Sequence, residues 1–318
     1  APLGRYIWPM SNAAIDSPPT DTASAPAVAD ASRENAARVA AESPSVRQYG
    51  LINWVGLWTL TEKEIQRFLK VGVQTVFAPM VTTLLFFAIF ALALGGIVRE
   101  TGGTPFLTFL APGLVVMSML QNAFANTSSS VTISKVQGNI VDVLMPPLSH
   151  LELALAYALG GIVRGLMVGG ATLLAIAAMD LVLTDIQVLR PVSASGLFFI
   201  VFHAIFGSML LSLLGLAAGI WSEKFDHIAA VTNFLVTPLT FLSGTFYTID
   251  RLPEDFQFIA HFNPFFYVID GFRYGFIGLS DPTFAHSLPV GVAVVLAANL
   301  LLWLLCVRML ATGYKLKA

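Results

Sequence analysis

Five stretches of about twenty or more mostly apolar residues, at 71–98, 106–126, 148–179, 195–221 and 288–310, dominate this chain. A bilayer core about 30 Å thick is crossed by roughly 20 apolar residues of helix. A sixth stretch, 228–247, is shorter and carries Thr237, Pro238 and Gly244. Proline is tolerated within a span where neighbouring groups satisfy the freed carbonyl. Only 11% of the 318 residues are charged and 56% are hydrophobic, whereas soluble domains carry roughly 25% charged residues. So much apolar surface is hidden only if lipid is the solvent. The expected fold is an all-α polytopic membrane protein of six transmembrane helices.

Residues 1–50 are a different material. The part from 11 to 44 is rich in Ala, Ser, Pro and Asp and lacks aromatics, a composition that cannot build a core. It is expected to be a disordered tail, and Met10 is a plausible natural start. Nothing before Leu51 supplies the apolar run of a secretory signal. The remainder divides into an amphipathic helix at 51–70 and a six-helix transmembrane domain at 71–318.

Charge orients the spans. With the N-terminus inside, Lys63, Arg67, Lys70, Lys135, Lys224, Arg308, Lys315 and Lys317 flank the cytoplasmic ends, and Arg99, Arg190, Arg251 and Arg273 lie outside. The bias is about two to one and places both termini in the cytoplasm.

Four features exceed membrane filler. In 51–70, Leu51, Trp54, Val55 and Trp58 form an apolar stripe continued by Ile65, Phe68 and Leu69, opposite Glu62, Lys63, Gln66, Arg67 and Lys70. Two tryptophans beside basic residues suit the headgroup layer, and Thr61 with Glu64 reads as a capping box dividing the helix. The helix is either a plain anchor or an anchor that also touches a partner. The loop 127–150 repeats Ile133, Val136, Ile140, Val141, Leu144 and Met145 at helical steps before Pro146 and Pro147. This predicts a short helix whose apolar face either meets a partner or folds back on the bundle.

In the third span, Gly161, Gly165 and Gly169 form a ridge for close helix approach. Gly196, at the mouth of the fourth span, is expected to tolerate bulk far better. Arg164, near mid-span, must face protein or water; its expected partners are helix carbonyls or an Asp or Glu elsewhere, with substrate contact as the minority reading. In 248–279, nine aromatic residues, among them Phe265, Phe266 and Tyr274, crowd a segment broken at Asn263 and Pro264. This predicts two half-helices dipping back into the outer leaflet as an external gate, or an aromatic belt anchoring that leaflet.

Several chemistries are excluded. No Gly-Lys pair exists, so the chain has no phosphate-binding P-loop. The single cysteine, Cys306, rules out an intrachain disulfide and a cysteine-based zinc site. The five histidines are scattered, no catalytic residue or metal site is found, and a net charge of −2 gives no basic surface for nucleic acid.

The ordered motifs resemble the permease subunits of type-2 ABC exporters, the YadH-like and NodJ-like bacterial branch. They are Val73, Gln74 and Thr75 with Ala78 and Pro79; Phe109 with Ala111, Pro112, Gly113 and Leu114; and Lys135, Gln137, Gly138, Asn139 and Ile140. They continue with Gly160 through Gly165, the run Thr237 to Tyr247, Leu252 and Pro253, Asn263 and Pro264, and Gly271 to Gly275.

The resemblance implies a pair of such subunits in the bacterial inner membrane, two copies of a separate cytoplasmic ATPase that binds ATP and Mg, and no cofactor in this chain. It assigns coupling to Lys135, Val136, Gln137, Gly138, Asn139, Ile140, Val141, Asp142, Leu144 and Met145. It assigns the ATPase-facing interface helix to Trp54, Trp58, Glu62, Glu64 and Arg67. The external gate would include Phe246, Tyr247, Asn263, Pro264, Phe265, Phe266, Arg273 and Tyr274. Three of five tryptophans (Trp8, Trp54, Trp58) precede the first span, so no tryptophan-lined sugar path is visible. A lipid-like, glycolipid or amphipathic drug-like cargo is favoured over a polysaccharide. An ion-coupled carrier would want intramembrane carboxylates, which are nearly missing, and a non-transporting scaffold remains as a third reading.

Overall fold

The computed structural model describes residues 33–34, 50, 52–94, 100–101, 104–183, 192–278 and 288–316. The expectations placed on the rest of the tail, on Leu51 and Leu279, and on Arg99, Arg190 and Lys317 lie outside the described residues. From α1 (Trp54–Leu69) the chain passes through a π-helical turn (Val73–Phe77) into α2 (Ala78–Leu94). A two-residue antiparallel pair, β1 (Glu100–Thr101) and β2 (Thr104–Pro105), leads to α3 (Phe106–Val136). Then come α4 (Ile140–Leu144), α5 (His150–Leu183), α6 (Ala194–Trp221) and α7 (Phe225–Val231). A second π-helical turn (Thr232–Val236) joins α7 to α8 (Thr237–Leu242). The chain ends with α9 (Glu254–Phe262), α10 (Pro264–Ile277) and α11 (Leu288–Thr312).

Six of these stretches are long and apolar enough to cross a membrane: Val73–Ala93, Phe106–Val136, His150–Leu181, Ala194–Trp221, Phe225–Leu242 and Leu288–Thr312. The expected all-α polytopic fold is what forms. The two π-helical turns have a shared cause. Each immediately precedes a residue followed by proline, Pro79 or Pro238, whose ring would strike the carbonyl four residues back in a regular helix. Widening the turn relieves that clash. Threonine hydroxyls bond nearby carbonyls, with Thr240 Oγ1 donating to Val236 O at 2.8 Å and Thr83 Oγ1 to Pro79 O at 2.8 Å.

The second span, α3, is the axis of the bundle. Within its most apolar stretch 89% of residues are buried by the chain itself, against 11% in the first and fifth spans. Its mean hydropathy there is also low, 1.4 against 2.3 for the first span. A helix so largely covered by protein can carry polar groups, provided its neighbours satisfy them. α5 and α6 pack on it through small residues. A Cβ on Gly165 of α5 would lie 2.8 Å from Ser208 Oγ and 3.1 Å from Met119 O. One on Gly169 would lie 3.1 Å from Met119 Sδ, and Gly161 is pressed against Ser212. The predicted ridge therefore lies between protein helices. Gly196 overturns the expectation set for it, because a Cβ there would come within 2.5 Å of Gly275 O on α10.

Candidate functional site

One end of the bundle gathers α1, the turn after α3 and the junction after α6. α1 is a single helix. Thr61 Oγ1 donates to its own Leu57 O at 2.9 Å, so the proposed capping box at Thr61 and Glu64 does not exist. The same sequence pattern operates at Ser149 and Glu152. Ser149 Oγ accepts from Glu152 N at 3.3 Å, and Glu152 accepts from Ser149 N at 2.6 Å. Glu152 also accepts from the Asn53 backbone, tying the start of α1 to the start of α5.

The expected single apolar stripe of α1 is divided. Leu57, Leu60 and Phe68 face the bundle, while Trp54, Val55 and Trp58 face away from it with Glu62. Glu64 is fully buried, accepting from Ser130 Oγ at 2.7 Å and pairing with Arg67 at 3.3 Å. Arg67 in turn donates to Asn126 O at 2.7 Å and to Asn126 Oδ1 at 3.0 Å. Two of the five residues expected to face a partner, Glu64 and Arg67, instead dock α1 to α3.

The loop expected over 127–150 is much shorter. α3 runs on to Val136, and Gly138, with φ of 77°, turns the chain into α4. Only five residues form α4. Ile140 and Val143 face inward, while Val141 is 57% exposed and Leu144 and Met145 are also exposed. Val136, Gln137, Gly138, Asn139 and Asp142 are exposed beside them. Lys135 differs, because its ammonium donates to Ile220 O at 2.7 Å and to Ser222 O, capping the C-terminus of α6. A cation beside those last carbonyls also meets the negative end of the helix dipole. At the same junction Lys315 reaches Glu223 at 2.8 Å and holds that exposed carboxyl below its usual range by hydrogen bonding.

Midway along the bundle, Ser118, Asn122, Asn126 and Ser130 recur every fourth residue on α3 and make one polar stripe. Arg164 Nη2 donates to Asn122 Oδ1 at 3.2 Å, so its partner is an amide rather than the carbonyl or carboxylate expected. Arg164 Nε and Ser118 Oγ are buried without a hydrogen-bond partner. Both border a cavity of about 470 Å³ between the first span, α3 and α5. Sequence reasoning singled out Arg164 but missed the stripe facing it. Its four-residue period is visible in the sequence, though the Ser- and Thr-rich composition of 127–136 reads as loop.

At the opposite end, α9 and α10 are the two short helices expected from the aromatic segment, separated at Asn263. Asn263 holds the break in place. Its Oδ1 accepts from Phe265 N at 3.0 Å, and its Nδ2 donates to Leu239 O at 2.7 Å and Ser243 Oγ at 2.9 Å. Pro264 opens α10 at its first turn, where no amide donor is needed.

Arg273 donates to Gly244 O at 2.7 Å and lies 3.8 Å from the centre of the Phe109 ring. Gly113 leaves room for this, since a Cβ there would lie 2.7 Å from Thr245 O. Phe265 and Phe266 are buried, Phe246 stacks on Phe90 at 4.9 Å, and Tyr274 meets Phe199 edge-on at 5.1 Å. Tyr247 OH donates to Phe241 O at 3.2 Å. Phe256, Phe258 and Phe262 of α9 are exposed.

Residues 55–277 match the family described as ABC-2 type transporter. The chain is 36% identical over 255 residues to the inner membrane transport permease YadH of Escherichia coli K12, covering 80% of this chain and 96% of that protein. It is also 25% identical over 224 residues to nodulation protein J of Rhizobium leguminosarum bv. trifolii, covering 70% and 81% respectively. The matched region takes in α1, five of the six spans and the two short helices around Asn263. The chain belongs to the ABC-2 type transporter family, as a multi-pass, non-catalytic membrane permease whose ATPase is a separate subunit.

Proposed function

We propose that this permease is the membrane half of an exporter in the bacterial inner membrane, working as a pair with a second copy and with two ATPase subunits. Its cargo on this reading is lipid-like, a glycolipid or an amphipathic drug-like molecule. ATP closes the ATPase pair, and the movement enters the permease through the turn at 137–149 and α1. The observation that carries the reading is α4, where Ile140 and Val143 anchor a short helix that presents Val141, Leu144 and Met145 to the outside. Three exposed apolar side chains on one rigid projection need a partner surface to bury them.

The low self-burial of the fifth span supports pairing, since it offers a face that a second copy can cover. Asn263, bonded to Leu239 of α8 and to Ser243 just after it, and Arg273, bonded to Gly244, support α9 and α10 as an external gate moving with the fifth span. With both termini cytoplasmic, α4 faces the ATPase and α9 faces outward.

The test is the double variant Val141→Asp with Leu144→Asp. Both side chains point away from the bundle, so the chain is expected in the membrane at its normal level. A carboxylate placed in an apolar docking surface is strongly unfavourable unless paired. ATPase co-purification should fall sharply and transport should stop. Full retention of the ATPase with intact transport would remove α4 from the coupling role.

A further inference from the structure

We propose that the cavity at Arg164 is a binding site for the anionic headgroup of an amphipathic molecule, of the phosphate class. This deepens the transport reading above and rests on it for the site's purpose, though not for its chemistry. The cavity, about 470 Å³, has two unlike ends. Gln74 on the first span, Gln121 and Asn122 on α3, and Arg164 on α5 line the polar end. Phe86 and Leu114 lie about two to three turns away along the same two helices and line the apolar end. Thr82, Thr83 and Ser118 lie between.

The charge is one-sided. No carboxylate lines this cavity among the described residues. Glu64 of α1, the carboxylate that meets the far end of the polar stripe, is bonded to Ser130 and Arg67. Arg164 carries five N–H donors, and the hydrogen bond found for it engages a neutral amide. Its Nε is buried with no partner, and Ser118 Oγ is a further donor on the cavity wall in the same state.

A guanidinium at membrane depth is costly unless it meets an opposite charge or water. A phosphate oxygen pair matches its fork geometry. The cavity reaches the outer face of the bundle along the first span, whose residues are mostly uncovered by this chain. An alkyl chain can therefore enter sideways from lipid while its headgroup reaches Arg164.

The full-length chain in nanodiscs of phosphatidylcholine is titrated with radiolabelled dodecyl phosphate, with empty nanodiscs as background and dodecyl maltoside as the neutral probe. Saturable binding of dodecyl phosphate alone is expected. Arg164→Gln should weaken it about tenfold or more, the loss typical of a charged hydrogen bond, and Arg164→Lys should restore part of it. Thr82→Glu puts a carboxylate at the exposed mouth and should weaken binding without touching the packed interior. It decides the matter if Arg164→Gln fails to fold.

Competition by inorganic phosphate at matched concentration would identify a free anion as the natural source. Inert phosphate with tight dodecyl phosphate would identify a lipid headgroup. Equal affinity in wild type, Arg164→Gln and Thr82→Glu overturns the site. The measurement contains no ATPase, so its failure leaves the docking role of α4 standing, and loss of that role leaves this site standing.

Discussion

Glu64 shows how a single side chain can be misassigned by its neighbourhood in sequence. It lies among Glu62, Lys63, Gln66 and Arg67, and by position it belongs with solvent-facing charge. In the fold it is sealed under α1, with Ser130 and Arg67 as its partners. A buried carboxylate persists only if it is paired and hydrogen-bonded. Glu64→Ala leaves Ser130 Oγ without its acceptor and removes the charge paired with Arg67, and should cost about 1–3 kcal/mol. Glu64→Gln keeps an acceptor toward Ser130 and should cost less. Thermal denaturation followed by fluorescence-detected gel filtration ranks the two variants. Equal losses in the two variants would mean that charge, rather than the hydrogen bond to Ser130, holds α1 in place.

Among the helices, α3, α5 and α6 are held by close backbone approach, and the contact can be tested by bulk. Gly165→Leu forces a side chain against Ser208 and Met119, where overpacking typically costs about 1–3 kcal/mol. Gly170, five residues on, has nothing within 4 Å of an added Cβ. Gly170→Leu should therefore assemble normally while Gly165→Leu loses yield in detergent extracts. Equal yields would show that the ridge yields to bulk.

The existence of these helices was legible in the sequence, because long apolar runs have few other solutions. The end of α3 was not. Residues 127–136 read as loop because they are mostly Ser and Thr. In the fold their hydroxyls bond the preceding turn, with Ser128 Oγ donating to Phe124 O at 2.8 Å and Ser129 Oγ to Ala125 O at 2.6 Å. That self-satisfaction lets a polar helix stay inside the bundle. The capping box was placed wrongly for a related reason. Its pattern recurs along the chain, at Thr59 with Glu62 as well, and only packing distinguishes mid-helix Thr61 from Ser149 ahead of α5. For the candidate site, Arg164 was legible by its charge, whereas the amide facing it depends on helix rotation that no spacing reveals.

For the whole molecule, sidedness is the property on which coupling and gating both depend. Cys306 is buried, its Sγ 3.2 Å from Leu213 O, so Cys306→Ser should give a mild, thiol-free background. Single cysteines at Gln137 and Lys224 should then resist an impermeant thiol reagent on intact cells, while one at Asp255 reacts. All three positions are exposed in the fold, so silence at any of them reports the membrane rather than packing. The reverse labelling pattern would invert the protein. The central place of α3 has a further consequence, for how the chain is made. A helix bearing Ser118, Asn122, Asn126 and Ser130 on one face is poorly suited to lipid alone, yet it is synthesised before α5 and α6, the helices that cover it. Until α5 follows, that polar face has no cover from it, and the contact of Arg164 with Asn122 then joins the two helices as a polar pair.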